Sequence, residues 1–325
     1  MNSMDRKVEL IATGDIYNLR VSGIEPEPPG PDELRIRHVG IGVNFIDIYQ
    51  RTGLYPLPLP AVLGVEGAGI VEAVGSEAGE FHVGDRIAYA GIPGGYASTR
   101  RLPAWRAIKL PDDISTRIAA GSFLRGLTAH MLLTRTYRAE RGTTLLIPAA
   151  AGGLGATLTR WAKHLGCIVI GTVGSPEKAR IAHANGADHV IVGRNADMVA
   201  EVARLTHAKG VDFAIDGIGG DMLGKTLGCV RRFGVVASIG QVGGPIPAIP
   251  VQELGPIRSL SLARPSVMAY AAEQETYRVA TQAVIAVIRQ GIIASAGRDY
   301  PLEEAAQAQS DLETGKTTGS ILLLP

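Results

Sequence analysis

The spacing of apolar positions changes character twice along this chain. Over roughly the first 120 residues, short apolar runs at 8–13, 33–43 and 69–74 predict β-strands. Pro26, Pro28, Pro29 and Pro31 mark a loop between two of them. Gly84-Asp85-Arg86 predicts a turn into a strand at 87–90, and Gly94 and Gly95 precede a short strand from Tyr96. This block reads as all-β with turns. From Ile118 the spacing becomes helical through Ala119, Ala120, Phe123, Leu124 and Leu127. Strands near 144–147, 168–172, 189–192, 211–215, 234–239 and 259–262 then alternate with helical stretches, which predicts a parallel, doubly wound α/β sheet. A long helix over 273–290, a second helix within 300–314 and a strand at 319–324 complete the pattern. The first block and the tail thus form one domain with a nucleotide-type domain inserted, an arrangement that places a catalytic cleft between them.

The stretch 143–178 sharpens that picture. A β-branched, apolar strand at 143–147 leads into Ala149, Ala150, Ala151, Gly152, Gly153 and Gly155, a turn of very small residues. A helix over 156–165 follows, with Leu158, Trp161, Ala162 and Leu165 on one face and Gly166 at its stop. Such a unit presents helix N-terminal N–H groups and bare backbone to a pyrophosphate, where a Cβ would obstruct the approach. The alternative is a tight strand–helix turn without a ligand. An NAD site usually ends its second strand in an acid that accepts from the ribose 2′-OH. Here that strand ends Gly171, Thr172, Val173, Gly174, Ser175, and Lys178 and Arg180 follow closely. A hydroxyl and cations suit a 2′-phosphate, so NADPH is expected over NADH. The other reading of Lys178 and Arg180 is as solvated helix charges. Asp216, at a later strand end, reads as a turn-stabilising acceptor rather than a base.

Composition narrows the class. The chain has 325 residues, 46% hydrophobic and 19% charged, enough for one large or two medium cores. A net charge of +1 without a basic block argues against nucleic acid as the main partner. The two cysteines, Cys167 and Cys229, provide no disulfide framework, which points to a reducing cytoplasm. The stretch MNSMDRKVEL carries no apolar leader core, and no uninterrupted apolar run is long enough to cross a bilayer.

Eight collinear segments carry a resemblance over nearly the whole chain: VNFIDIYQRTGLYPLPLP (43–60), LGVEGAGIVEAVG (63–75), VGDRIAYA (83–90), SFLRGLTAHMLL (122–133), PAAAGGLG (148–155), GTVGSPEKAR (171–180), ARPS (263–266) and GKTTGSILLLP (315–325). The chain resembles the zinc-independent medium-chain dehydrogenases/reductases, within them the NADPH:quinone oxidoreductases related to zeta-crystallin. The resemblance implies a GroES-like, mostly-β catalytic domain over 1–122 and 267–325, a Rossmann NADPH-binding domain over 123–266, and a homodimer. It also implies that NADPH gives up a hydride and a quinone accepts it.

It further implies roles for particular residues. Tyr49 would touch the nicotinamide side of the cofactor, and Ala151, Gly152, Gly153 and Leu154 would line the pyrophosphate. Gly174, Ser175 and Lys178 would hold the adenosine phosphate, with Gly193 and Arg194 beside the adenosine. Ile239, Gly240 and Gln241 would flank the nicotinamide ribose, while Leu262, Arg264 and Lys316 would close over the cofactor. Asn44, Tyr49 and Tyr55 are the expected donors and walls of the acceptor pocket, oriented by Asp47. Thr128 would contact substrate or the nicotinamide edge, and Arg264 would place positive charge near the cofactor or developing anion. For Asp47 and Tyr55, purely structural hydrogen bonding is the other reading.

Metal chemistry is not expected. Zinc alcohol dehydrogenases of this superfamily carry His in a G-H-E motif and an upstream Cys; here the motif is Gly64-Val65-Glu66, and the upstream position falls near Asn44. A quinone is already electrophilic, so positioning and a few hydrogen-bond donors can suffice. Two other functions compete: an NADPH-dependent reductase of enones or alkenals, and a non-catalytic, RNA-binding, crystallin-like protein.

Overall fold

The chain divides into two units, Met1–Leu127 with Met268–Pro325, and Thr128–Val267. The structure, a computed structural model, describes residues 5–293 and 297–325; the first four residues of the stretch read for a leader lie outside it. The first unit begins with β1 (Arg6–Leu10), β2 (Leu19–Gly23), β3 (Glu33–Val43), α1 (Phe45–Arg51), β4 (Ala61–Val62), β5 (Glu66–Val74), β6 (Arg86–Ala90), β7 (Thr99–Pro103), β8 (Ile108–Lys109) and α2 (Thr116–Ala120). Helix α3 (Phe123–His130) leads to a π-helical turn at Met131–Thr136. The second unit holds β9 (Thr144–Pro148), α4 (Gly153–His164), β10 (Ile168–Val173), α5 (Pro176–Ala184), β11 (His189–Val192), α6 (Met198–Leu205), β12 (Val211–Asp216), α7 (Met222–Gly228), β13 (Val230–Ser238) and β14 (Ser261–Ala263). Then follow α8 (Val267–Ala272), α9 (Gln274–Arg289), β15 (Gly297–Pro301), α10 (Ala305–Glu313) and β16 (Ser320–Leu324).

In the first unit β3 is the central strand. Leu34, Ile36 and His38 point inward at alternate positions, the period of a half-buried strand. The main sheet runs β15-β16-β3-β5-β6-β8, with β7 also paired to β3. Its pairings are antiparallel except β15 with β16. A smaller sheet, β2-β1-β4, packs Val8 and Leu10 into a core with Ile41, Leu63, Tyr96, Tyr300 and Leu323. His38 lies buried between the Ala97 carbonyl at 2.7 Å and the Tyr89 hydroxyl at 2.8 Å. Burial, with Arg100 nearby, pushes it down to about 3, so it remains neutral.

Two expectations for this block need correction. It is not all-β, because α1 interrupts it immediately after Asn44. The alternation of Ile46 and Ile48 mimics a strand, and seven residues are too few to display a helical period. The strand expected from Tyr96 begins instead at Thr99. Tyr96 is fully buried, its N–H donating to the Leu63 carbonyl, and only an isolated bridge joins Ala97 to Lys7.

The second unit is a six-stranded sheet in the order β11-β10-β9-β12-β13-β14, all of its pairs parallel. This is the doubly wound Rossmann arrangement. Leu145, Leu146 and Ile147 of β9 are buried in succession, as expected of a strand covered on both faces. After β9 the chain turns through Ala149 at φ 52°, whose carbonyl accepts the Gly152 N–H at 2.8 Å. A Cβ on Gly155 would fall 2.3 Å from that same carbonyl oxygen. Glycine at 155 therefore lets α4 start against the end of β9, and α4 buries Leu158, Trp161 and Ala162 on the sheet.

Gly155→Ala is accordingly expected to destabilise the protein by about 1–3 kcal/mol through this overlap. A denaturant titration checks it; a midpoint equal to the parent's would contradict the packing argument.

Candidate functional site

The residues expected to hold the nucleotide lie in the second unit. Gly152 caps the twelve-residue helix α4 without any side-chain hydrogen bond. The first amides of a helix lack i−4 partners, so Gly153 and Leu154, both half-buried, offer N–H groups to an anion. Ala151 is buried beneath them. At the end of β10 no acid is present. Ser175 is the N-cap of α5, its hydroxyl accepting the Lys178 N–H at 3.3 Å. An oxygen used as acceptor still has its own hydrogen to donate. Arg194 lies over Gly174: a Cβ built on that glycine would sit 3.7 Å from Arg194 Nε. Beside it, Gly193 has open space where a side chain would stand. A cation over an exposed glycine, a hydroxyl beside it and a lysine three residues on, with no acid, are residues that fit NADPH.

Past β12 and β13, two glycine loops interlock. The Asp216 Oδ1 accepts from Ile218 N–H at 2.7 Å and Gly219 N–H at 3.0 Å, the turn-stabilising role read from sequence. Burial pushes this carboxyl up, against those two donors and the nearby Arg264 charge. A Cβ on Gly219 would lie 2.5 Å from the Gln241 Cα, so the glycine allows Gln241 to pack there. Ile239 donates its N–H to the Asp216 carbonyl at 2.7 Å, and Gly240 follows, buried. Arg264 donates to the Ser238 hydroxyl at 2.7 Å, and Leu262 pairs with Val236 on exposed β14. Thr128 stands half-buried on α3.

The residues expected to take the acceptor lie around α1 in the first unit. Asn44 precedes the helix, and its backbone N–H donates to Asp47 Oδ2 at 2.9 Å. Tyr49 is buried and Tyr55 more open, their rings meeting edge to face with centroids 5.3 Å apart. Asp47 is 0% exposed, so it cannot touch a substrate directly. It accepts from the Asn44 N–H and from the Tyr96 hydroxyl, the latter at 2.9 Å. Burial pushes it up to about 7, opposed by these two donors and reinforced by the charge of Glu66. Lys316, beyond α10, has its Nζ 3.7 Å from Asp311 Oδ1.

Sequence reasoning passed over the partners that hold these residues. Glu66 accepts from Asn44 Nδ2 at 2.8 Å. Tyr96 joins Asp47 to Gln309, which accepts from Arg51 Nε at 2.8 Å. The available signal was an acid inside the otherwise small and apolar run 63–71. Cys167 and Cys229 are buried, and burial pushes their thiols up to about 11 and about 12. Among the described residues no group of three or more His, Cys, Asp or Glu is arranged to hold a metal ion. Among them also, no helix is long and apolar enough to cross a membrane.

The family described as "Zinc-binding dehydrogenase" matches residues 153–285, and "Alcohol dehydrogenase GroES-like domain" matches residues 30–112. A Pseudomonas aeruginosa quinone oxidoreductase is 41% identical over 99% of this chain and all of its own. The crystal structure of Escherichia coli quinone oxidoreductase complexed with NADPH superposes with a TM-score of 0.95 at 38% identity, covering 98% of this chain and all of that one. A 2-haloacrylate reductase from a Burkholderia species is 39% identical over 91% of this chain and 92% of its own.

The raised Asp47 carboxyl has a consequence for stability. Its folded value, about 7, lies above the ordinary 3.8, so the folded state keeps a proton that the unfolded chain releases. That contribution is full below about pH 4 and is lost as pH rises through about 7. Asp47→Asn retains an oxygen for Asn44 and Tyr96 and is expected to flatten this part of the pH–stability curve. Thermal unfolding midpoints of both proteins across that range check it; parallel curves would refute it.

Proposed function

Because the chain belongs to the quinone oxidoreductases of the medium-chain dehydrogenase/reductase family, we infer that it is an NADPH-dependent quinone reductase. The observation that carries the cofactor choice is the end of β10, where Ser175 and Lys178 stand with Arg194 over Gly174 and no acid is present. NADPH, when bound, supplies the hydride; with one proton from solvent the quinone becomes a hydroquinone. The α4 amides of Gly153 and Leu154 would hold the pyrophosphate, and Gln241 and Ile239 would flank the ribose. Arg264, anchored on Ser238, adds positive charge that stabilises a developing anion. Asn44, Tyr49 and Tyr55 orient the acceptor, and Thr128 is assigned to the substrate or the nicotinamide edge. Asp47 acts through Asn44 and is a positioning residue. Leu262 and Lys316 are assigned to the cofactor by the family pattern.

The reaction as proposed is zinc-independent. Val65 has no donor atom where a zinc enzyme of this superfamily has His, and the thiols of Cys167 and Cys229 are buried. A cytoplasmic placement suits two unpaired cysteines. A homodimer suits β14, an edge strand of the six-stranded sheet with one side left for another copy. The 2-haloacrylate reductase relative supports a second reading, hydride delivery to an activated alkene.

Lys178→Ala is expected to weaken NADPH binding by about tenfold while leaving NADH nearly unaffected, as loss of one phosphate contact predicts. Equal losses for the two nucleotides would contradict its role. In an acceptor screen with benzoquinone, a naphthoquinone and a simple enone, the quinones should turn over fastest, with or without a chelator. Turnover of the enone alone would replace the quinone assignment with the alkene reading. Light scattering should return twice the chain mass; a monomer would remove the homodimer.

A further inference from the structure

Glu66 opens β5 as a carboxylate at 2% exposure, and both of its oxygens are committed. Its Oε1 accepts from Asn44 Nδ2 at 2.8 Å, and its Oε2 accepts from the Leu124 N–H at 2.8 Å. The space for this side chain comes from β3. A Cβ on Gly42 would fall 2.3 Å from Oε1, so any larger residue at 42 would drive the carboxylate off Asn44. Burial pushes the acid up, while the donors from Leu124, Asn44 and Phe123 and the charge of Arg125 hold it down.

Asn44 is gripped twice, its backbone N–H by Asp47 and its side chain by Glu66. The Glu66 side chain accepts at both oxygens, at Oε1 from the Asn44 amide and at Oε2 from the Leu124 N–H. It therefore settles which way the Asn44 amide faces. One amide hydrogen is consumed, Nδ2 turns toward β5, and Oδ1 turns away from the carboxylate to the Asp47 backbone N–H of the capping box, with one lone pair left.

We propose that Glu66 is a positioning residue for the acceptor site, fixing the Asn44 amide so that Asn44 meets the acceptor with Oδ1 and a single remaining N–H. This rests on the quinone-reductase reading above, and it refines the role of Asn44 from donor alone to donor and acceptor. The N–H suits a quinone carbonyl, and Oδ1 suits the O–H that appears only in the hydroquinone.

Glu66→Gln tests the idea with little change in shape. A glutamine side chain has one oxygen, which the Leu124 N–H claims. Its NH2 group then faces Asn44 and forces that amide to reverse. The expected result is a fall in kcat/KM for benzoquinone of about tenfold or more, with NADPH affinity unchanged. Asn44→Ala alone should show a similar fall, and Glu66→Gln added to it should cost nothing further, because one acts through the other. Gly42→Ala displaces the same carboxylate without altering its chemistry and should give the same loss and the same non-additivity. Independent, multiplying losses would make Glu66 a general structural residue and overturn the proposal, as would full activity in Glu66→Gln. Failure of both Glu66→Gln and Gly42→Ala to fold would overturn it too. Absence of quinone turnover by the unaltered protein would instead sink the quinone reading itself.

Discussion

The carbonyl of Ala149 and the bare Cα of Gly155 determine where α4 can begin, and the nucleotide half depends on that contact. The carbonyl is turned by a positive φ at Ala149, accepts from Gly152 and lies where a side chain at 155 would have been. Once the helix starts there, its open amides follow from the geometry of any helix end. The loops after β10, β12 and β13 emerge from the same end of a parallel sheet, which is why Ser175, Asp216 and Gln241 lie at the strand ends where such sheets bind ligands.

The first unit works by a different constraint. The stretch 44–55, proposed above to meet the acceptor, is short and cannot hold itself in place. Buried polar groups fix it from outside. Asp47 takes the hydroxyl of Tyr96, Tyr96 receives Gln309, and Gln309 takes Arg51, which also reaches Glu313 at 2.7 Å. That series ties α1 to α10 through groups that would each cost free energy if left alone. His38 shows the same economy, a neutral ring satisfied by one carbonyl and one hydroxyl.

Much of this was legible before any coordinates. The β–α alternation predicted the parallel sheet, because fully buried strands read as unbroken apolar runs such as Leu145–Leu146–Ile147. The turn after β9 was visible in its small residues, but it ends at Gly152: α4 begins at Gly153, three residues before the expected 156, because Gly153 and Gly155 lie in its first turn. What escaped reading depends on contacts distant in sequence. Helix α1 hid behind the spacing of Ile46 and Ile48, and it is set by an acid three residues inside it. Strand β15, with Arg298, Asp299 and Pro301, has little strand character of its own and takes its register from β16. Glu66 was noticed only as the neighbour of Val65; its partners, Asn44 and Leu124, lie 22 and 58 residues away.

The two buried thiols acquire a meaning from the chemistry around them. Quinones are soft electrophiles that arylate exposed thiolates by conjugate addition, and the thiolate is the reactive form of cysteine. Cys167 and Cys229 are kept out of solvent and protonated, Cys229 with its sulfur 3.3 Å from the Lys225 carbonyl. An enzyme so built can pass its own substrate through many cycles without being covalently poisoned by it.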